Sequence, residues 1–128
     1  MSRDKSDIKP TEAELSLLNI LWRMGPATVR QIHETVSVNQ KTGYTTVLKI
    51  LQIMHEKALV IRDESNRAHV YAPANSEMVT QSSLLKDLVL KAFGGSTSKL
   101  VMRALDNSTS KEEIEDIRQL LNELEQQA

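Results

Sequence analysis

Lys41-Thr42-Gly43-Tyr44-Thr45-Thr46, together with Lys49, is the stretch of this 128-residue chain richest in groups that can read a polar surface. Its hydroxyls both donate and accept, threonine and tyrosine also offer apolar surface to a thymine methyl, and the lysines add positive charge. At the start of a helix, such a segment presents main-chain amides that favour a phosphate and side chains that meet base edges in a major groove. The plainer alternative is that Thr42 only caps the helix while Tyr44 and Thr45 are merely solvated. A second cluster, Arg62, Arg67 and His69, flanks Ser65-Asn66 and suits phosphate or minor-groove contact, although Asp63 and Glu64 beside it weaken the positive charge.

Other chemistry finds no support. The chain has no cysteine, which removes disulfides, thiolate metal sites and a thiol nucleophile together. His33, His55 and His69 are far apart in sequence and lack the short spacing of a zinc site, so each reads as a surface or partly packed histidine. There is no Gly-x-Ser-x-Gly, no glycine-rich phosphate loop and no framed carboxylate pair. Glu112, Glu113, Glu115 and Asp116 cluster where a helix begins and complement its dipole. The expectation is a protein that is not an enzyme and needs no cofactor.

The elements that must hold the first cluster follow from the apolar spacing. Thr11 and Glu14 have the form of a capping box, Leu15, Leu18, Leu21 and Trp22 recur at helical intervals, and Gly25-Pro26 ends the run. Thr28 caps a second, shorter helix carrying Val29, Ile32 and Val36, with Ala27 able to add a short strand, and Ser37 to Thr42 reads as a polar loop. From Gly43 to about Lys57 the residues Val47, Leu48, Ile50, Leu51 and Met54 form one apolar side opposite a hydrogen-bonding one. Residues 59–64 and 67–73 are two β-type runs around a Ser-Asn turn. Three helices followed by a hairpin are the layout of a winged helix-turn-helix, with the Lys41–Lys49 surface on its third helix.

Beyond Asn75 no strand pattern remains. Helices are expected from Ser76 to Phe93, from Ser96 or Ser98 to Leu105, and from a second capping box at Ser110 and Glu113 to the end. Three short, mostly one-sided helices can scarcely close a dry core alone. Leu88, Phe93, Leu100, Leu105, Ile117, Leu121 and Leu124 are therefore the expected interface with a second copy, each worth roughly 1.5 to 3 kcal/mol when fully buried. The fold class is mainly α, with a winged helix over residues 1–75 and a three-helix dimerisation domain over residues 76–128.

Composition agrees with this division. The chain carries a formal net charge of −1, 26% charged residues and 40% hydrophobic ones, an ordinary globular balance with an aliphatic core. Residues 1–75 sum to +2 and residues 76–128 to −3, so the anion-seeking half is the first. Met1 to Pro10 is charged, has no apolar stretch for a signal peptide, and no later run is long enough to insert in a membrane. A cytoplasmic location is expected.

Several stretches carry a family resemblance. Thr11-Glu12-Ala13-Glu14 with Ile20-Leu21-Trp22, Gly25 to Ile32, Tyr44 to Leu51 and Arg67 to Tyr71 resemble the penicillinase-repressor family, the BlaI/MecI/CopY group of bacterial regulators. The resemblance implies a homodimeric transcriptional repressor that binds half of a palindromic operator in double-stranded DNA with each winged helix. It implies that Thr42, Tyr44, Thr45, Thr46 and Lys49 lie on or at the recognition helix, with Arg62, Arg67 and His69 in the wing. Copper-responsive members use a cysteine-rich C-terminal motif, which this chain lacks. The β-lactam-responsive members are cut in the C-terminal domain by a membrane-bound sensor protease. The matching segment, Ser98 to Leu105, has no Asn-Phe pair of the staphylococcal type, which leaves the cut site and the inducing signal open. A winged-helix module that docks proteins and touches no DNA is the alternative that the near-neutral charge favours.

Overall fold

A computed structural model describes residues 9–128, so the charged N-terminal stretch lies, up to residue 8, outside the described residues. The elements run α1 (Glu12–Met24), β1 (Ala27–Thr28), α2 (Val29–Asn39), α3 (Tyr44–Glu56), β2 (Val60–Asp63), β3 (Val70–Pro73), α4 (Glu77–Ala92), α5 (Thr97–Ala104) and α6 (Lys111–Gln127). The mainly helical, winged-helix expectation holds.

Both early helices start on complete capping boxes. Thr11 Oγ1 accepts from the Glu14 amide while Glu14 Oε1 accepts from the Thr11 amide, and Thr28 with Gln31 repeats the arrangement. Gly25, at φ 85, ends α1 in a conformation that side chains rarely adopt. A Schellman turn ends α3, with Leu59 N–H donating to the Met54 carbonyl and Ala58 N–H to that of His55. Ala58 takes the left-handed position at φ 62, where glycine is usual.

The sheet has the order β1-β3-β2, antiparallel throughout, with Tyr71 facing Ala27 on one side and Arg62 on the other. Tyr71 is thereby enclosed, and the core closes around it with Leu17, Leu18, Leu21, Ile32, Val47, Leu51, Met54 and Val60. Trp22 Nε1 donates to the Asn75 carbonyl at 3.1 Å and ties α1 to the chain leaving the wing.

Four local expectations shift. Leu15 is only half-buried, and Leu17 instead joins Leu18 and Leu21 on the core side of α1, together with Glu14. The second helix runs on to Asn39, into the segment expected to be loop. The wing strands are shorter than the β-type runs, because Asp63 Oδ1 accepts from both the amide and the hydroxyl of Ser65 and turns the chain out of β2. At Ser110 only the forward half of the capping box forms, its hydroxyl accepting from the Glu113 amide.

Two compact units are distinguished along the chain, one ending at Leu85 and the other Lys86–Ala128. Among the described residues every buried side chain lies between Glu14 and Tyr71. None in α4, α5 or α6 is buried.

Candidate nucleic-acid interface

Helix α3 buries Val47, Leu51 and Met54 against the core, which turns Thr45, Lys49, Gln52 and Glu56 outward in a single stripe at intervals of three and four residues. Thr46 and Ile53, the latter 38% exposed, flank the stripe on one side, and Tyr44, 47% exposed, on the other. Lys41 is exposed on the loop before the helix, and Thr42 is half-buried.

The first turn of this helix is open. Gly43 is its N-cap and supplies no side-chain hydrogen bond, and the first intrahelical bond is Val47 N–H to the Gly43 carbonyl at 3.2 Å. The amides of Tyr44, Thr45 and Thr46 precede that bond and point out of the helix end, where the macrodipole adds partial positive charge. The turn thus offers amide donors and hydroxyls to an anionic oxygen, with exposed Lys41 before it and Lys49 further along the helix. Glu56 limits the favourable region to the N-terminal part of the stripe.

The wing is less uniform. Arg67 and His69 lie on the exposed loop between β2 and β3, not in a strand, and neither forms an ion pair with a described residue. Arg62 turns back into the wing and pairs with Glu64. The hydrogen bond to Tyr71, followed by the bond and charge of Glu64, raises the guanidinium above its ordinary value. Hydrogen bonds from the Ser65 hydroxyl and amide hold the Asp63 carboxyl below its ordinary range, so the base of the wing keeps a fixed negative charge. The three wing candidates thus divide into two accessible side chains at the tip and one engaged at the strand.

The family model described as Penicillinase repressor matches residues 10–123. This chain belongs to that family. It is accordingly a transcriptional repressor of the BlaI/MecI type with a winged-helix DNA-binding domain. The transcriptional regulator BlaI of Mycobacterium tuberculosis is 31% identical over 115 residues, spanning 89% of this chain and 83% of that protein. The methicillin resistance regulatory protein MecI of Staphylococcus aureus is 22% identical over 120 residues, 93% of this chain and 98% of that one. Among solved structures, the DNA-binding domain of the repressor BlaI superposes with a TM-score of 0.50 at 18% identity, over 59% of this chain and 90% of that domain. That likeness is one of fold.

In this penicillinase-repressor family member the exposed side of α3 extends beyond the Lys41–Lys49 residues to Gln52 and Ile53. Their signal was present as the i+7 position from Thr45 and from Thr46. Glu64 stands only two residues from Arg62, but the contact with Tyr71 is made across the β2–β3 pair, where the sequence shows no pattern for it. His33, His55 and His69 stand on α2, on α3 and on the wing loop, and no group of three or more metal-ligating side chains forms among the described residues.

Proposed function

We propose that the chain works as a homodimer that places two recognition helices on a palindromic operator, with residues 1–75 contacting DNA and residues 76–128 joining the copies. The open first turn of α3, with its outward stripe of Thr45, Lys49 and Gln52, is the observation that carries the proposal. Thr42, Tyr44, Thr45 and Thr46 read base edges, Lys41 and Lys49 meet phosphates, and Arg67 and His69 reach the backbone or minor groove from the wing. Arg62 contributes once it leaves Glu64.

Dimerisation has its own support. Leu88, Leu121 and Leu124 are about half exposed in a single chain, Phe93, Leu100, Leu105 and Ile117 are half-buried, and Leu90 and Leu120 are further exposed leucines of the same helices. Helices with so much exposed leucine and no buried residue gain a core from a second copy. Two modestly charged half-sites then bind as one. Derepression follows from separating them: a cut within Ser98–Leu105, delivered by a membrane-bound sensor protease on a β-lactam-type signal, would release the operator without altering a DNA-contacting residue. The protein needs no membrane insertion for this and acts on DNA in the cytoplasm.

Selection from a random duplex pool tests the proposal. Retained sequences are expected to share two inverted half-sites whose centres lie about 34 to 36 Å apart or a multiple of that, and their mobility shift is expected to weaken steeply with salt. A protein that retains no duplex in dilute buffer is a protein-docking module instead.

A further inference from the structure

The recognition helix is held from the side by a histidine. His33 Nε2, on α2, lies 2.7 Å from the Thr42 carbonyl oxygen and 3.2 Å from Ser37 Oγ, one turn further along its own helix. Its ring stands edge-on to Tyr44, with centroids 5.8 Å apart and planes at 77°. A carbonyl only accepts, so Nε2 carries the proton in this contact. One half-buried side chain thus grips both the last loop residue but one before α3 and the first residue of the helix itself.

This grip coincides with a missing one. Among the described residues Thr11, Thr28, Ser76, Ser96 and Ser110 cap the other five helices with a side-chain oxygen, whereas α3 starts at Gly43 without any such bond. A serine or threonine cap would secure the helix start by occupying the amides that an incoming phosphate needs. A clamp on the Thr42 carbonyl and the Tyr44 ring secures the same turn and leaves those amides open.

We infer that His33 is a positioning residue for α3, fixing the geometry of its N-terminal turn in place of a cap so that Thr45, Thr46 and the free amides meet DNA in one register. The consequence for DNA rests on the reading proposed above; the consequence for the helix does not.

The test uses the full chain with His33→Ala and His33→Gln, the glutamine keeping an N–H donor. In the free protein, amide hydrogen exchange at Val47 and Leu48 is expected to rise in H33A while exchange at Leu21 and Leu51 stays at the wild-type rate, and H33Q is expected to restore it. On a duplex selected by the wild-type protein, H33A is expected to bind about tenfold more weakly, the scale of one lost hydrogen bond. A random duplex of equal length should be bound as before, and H33Q should recover most of the loss. Unchanged exchange at Val47 and Leu48, or a rise shared equally by Leu21 and Leu51, overturns the positioning role. So does H33A binding the selected duplex at wild-type strength. A wild-type protein that retains no duplex overturns the DNA reading instead, and the exchange measurement still decides the role of His33.

Discussion

The Glu14 carboxylate receives the Lys57 ammonium at 3.0 Å on both of its oxygens, joining the first turn of α1 to the end of α3 across 43 residues of sequence. Glu14 is 3% exposed, so this is an ion pair at the edge of the core and not a surface ornament. The same carboxylate also accepts the Thr11 amide of the capping box at 2.8 Å, which links a local signal for starting a helix to the seating of the recognition helix.

Acid should loosen that link. Burial pushes the Glu14 carboxyl up, but the Thr11 amide and then the hydrogen bond and charge of Lys57 together hold it below its usual value of 4.5. A carboxyl depressed in the folded state contributes stability that is complete above its unfolded value and lost as pH falls through the folded one. Thermal unfolding followed downward from pH 6 should show a loss of melting temperature in the acid range below 4.5 that Glu14→Gln removes. Lys57→Met strands the carboxylate and should cost about 2 kcal/mol at neutral pH in urea unfolding, with water reaching the site moderating a larger penalty. An identical acid profile in E14Q and wild type would show that other groups control the transition.

The outward stripe separates base reading from charge. Thr46→Ala should relax discrimination between selected and random duplexes, with little change on the random one. Lys49→Ala should weaken both and reduce the slope of log affinity against log salt by about one. Titrations at several salt concentrations distinguish them, and an unaltered slope in K49A would remove that ammonium from the phosphate contacts.

The open helix end makes an opposed pair of effects available at one position. Gly43 has φ −73, and an added Cβ would meet only Thr46 Oγ1, at 3.9 Å. Gly43→Asp therefore fits, and its carboxylate should cap α3 and complement the dipole, stabilising the fold by about 0.5 to 1 kcal/mol. The same carboxylate occupies the amides and repels phosphate, so affinity for any duplex should fall at least about tenfold. Higher melting temperature with undiminished binding would show that DNA does not approach this turn.

Truncation after Asn75 keeps every buried residue of the described chain and the Trp22 contact with the Asn75 carbonyl. The fragment should unfold cooperatively, sediment as a monomer, and bind a selected duplex roughly 10² to 10⁴ times more weakly than the full chain. Leu121→Asp in the full chain should give the same two results without shortening it, since that leucine is 57% exposed in the single chain. Equal affinity of fragment and full chain would separate DNA binding from dimerisation.

Much of this architecture is written in local chemistry. The capping box at Thr11, the cap at Thr28, the apolar spacing of Val47, Leu51 and Met54, and the β-type runs around residue 65 each need only a few neighbours along the chain, so periodicity and turn chemistry expose them. The winged layout follows from their order, and the exposed Thr45 and Lys49 follow from the buried side of their helix. The extent of the wing strands was less legible, because the Asp63–Ser65 turn competes with β-pairing over a single residue.

By itself, the amino-acid order determined that three helices and a hairpin would form, that one helix would show a hydroxyl-rich side, and that cysteine chemistry was excluded. Only the tertiary structure decided which side chains were available on that scaffold. It withdrew Arg62 into a pair with Glu64, buried Glu14 against Lys57, and brought His33 onto Thr42 and Tyr44. The Glu14 and His33 contacts depend on how separate elements approach in space, and Arg62, although Glu64 is two residues away, is also engaged by Tyr71 from the paired strand. Side-chain periodicity records the side of an element that is buried, and it carries no record of which charged or aromatic group arrives from another element.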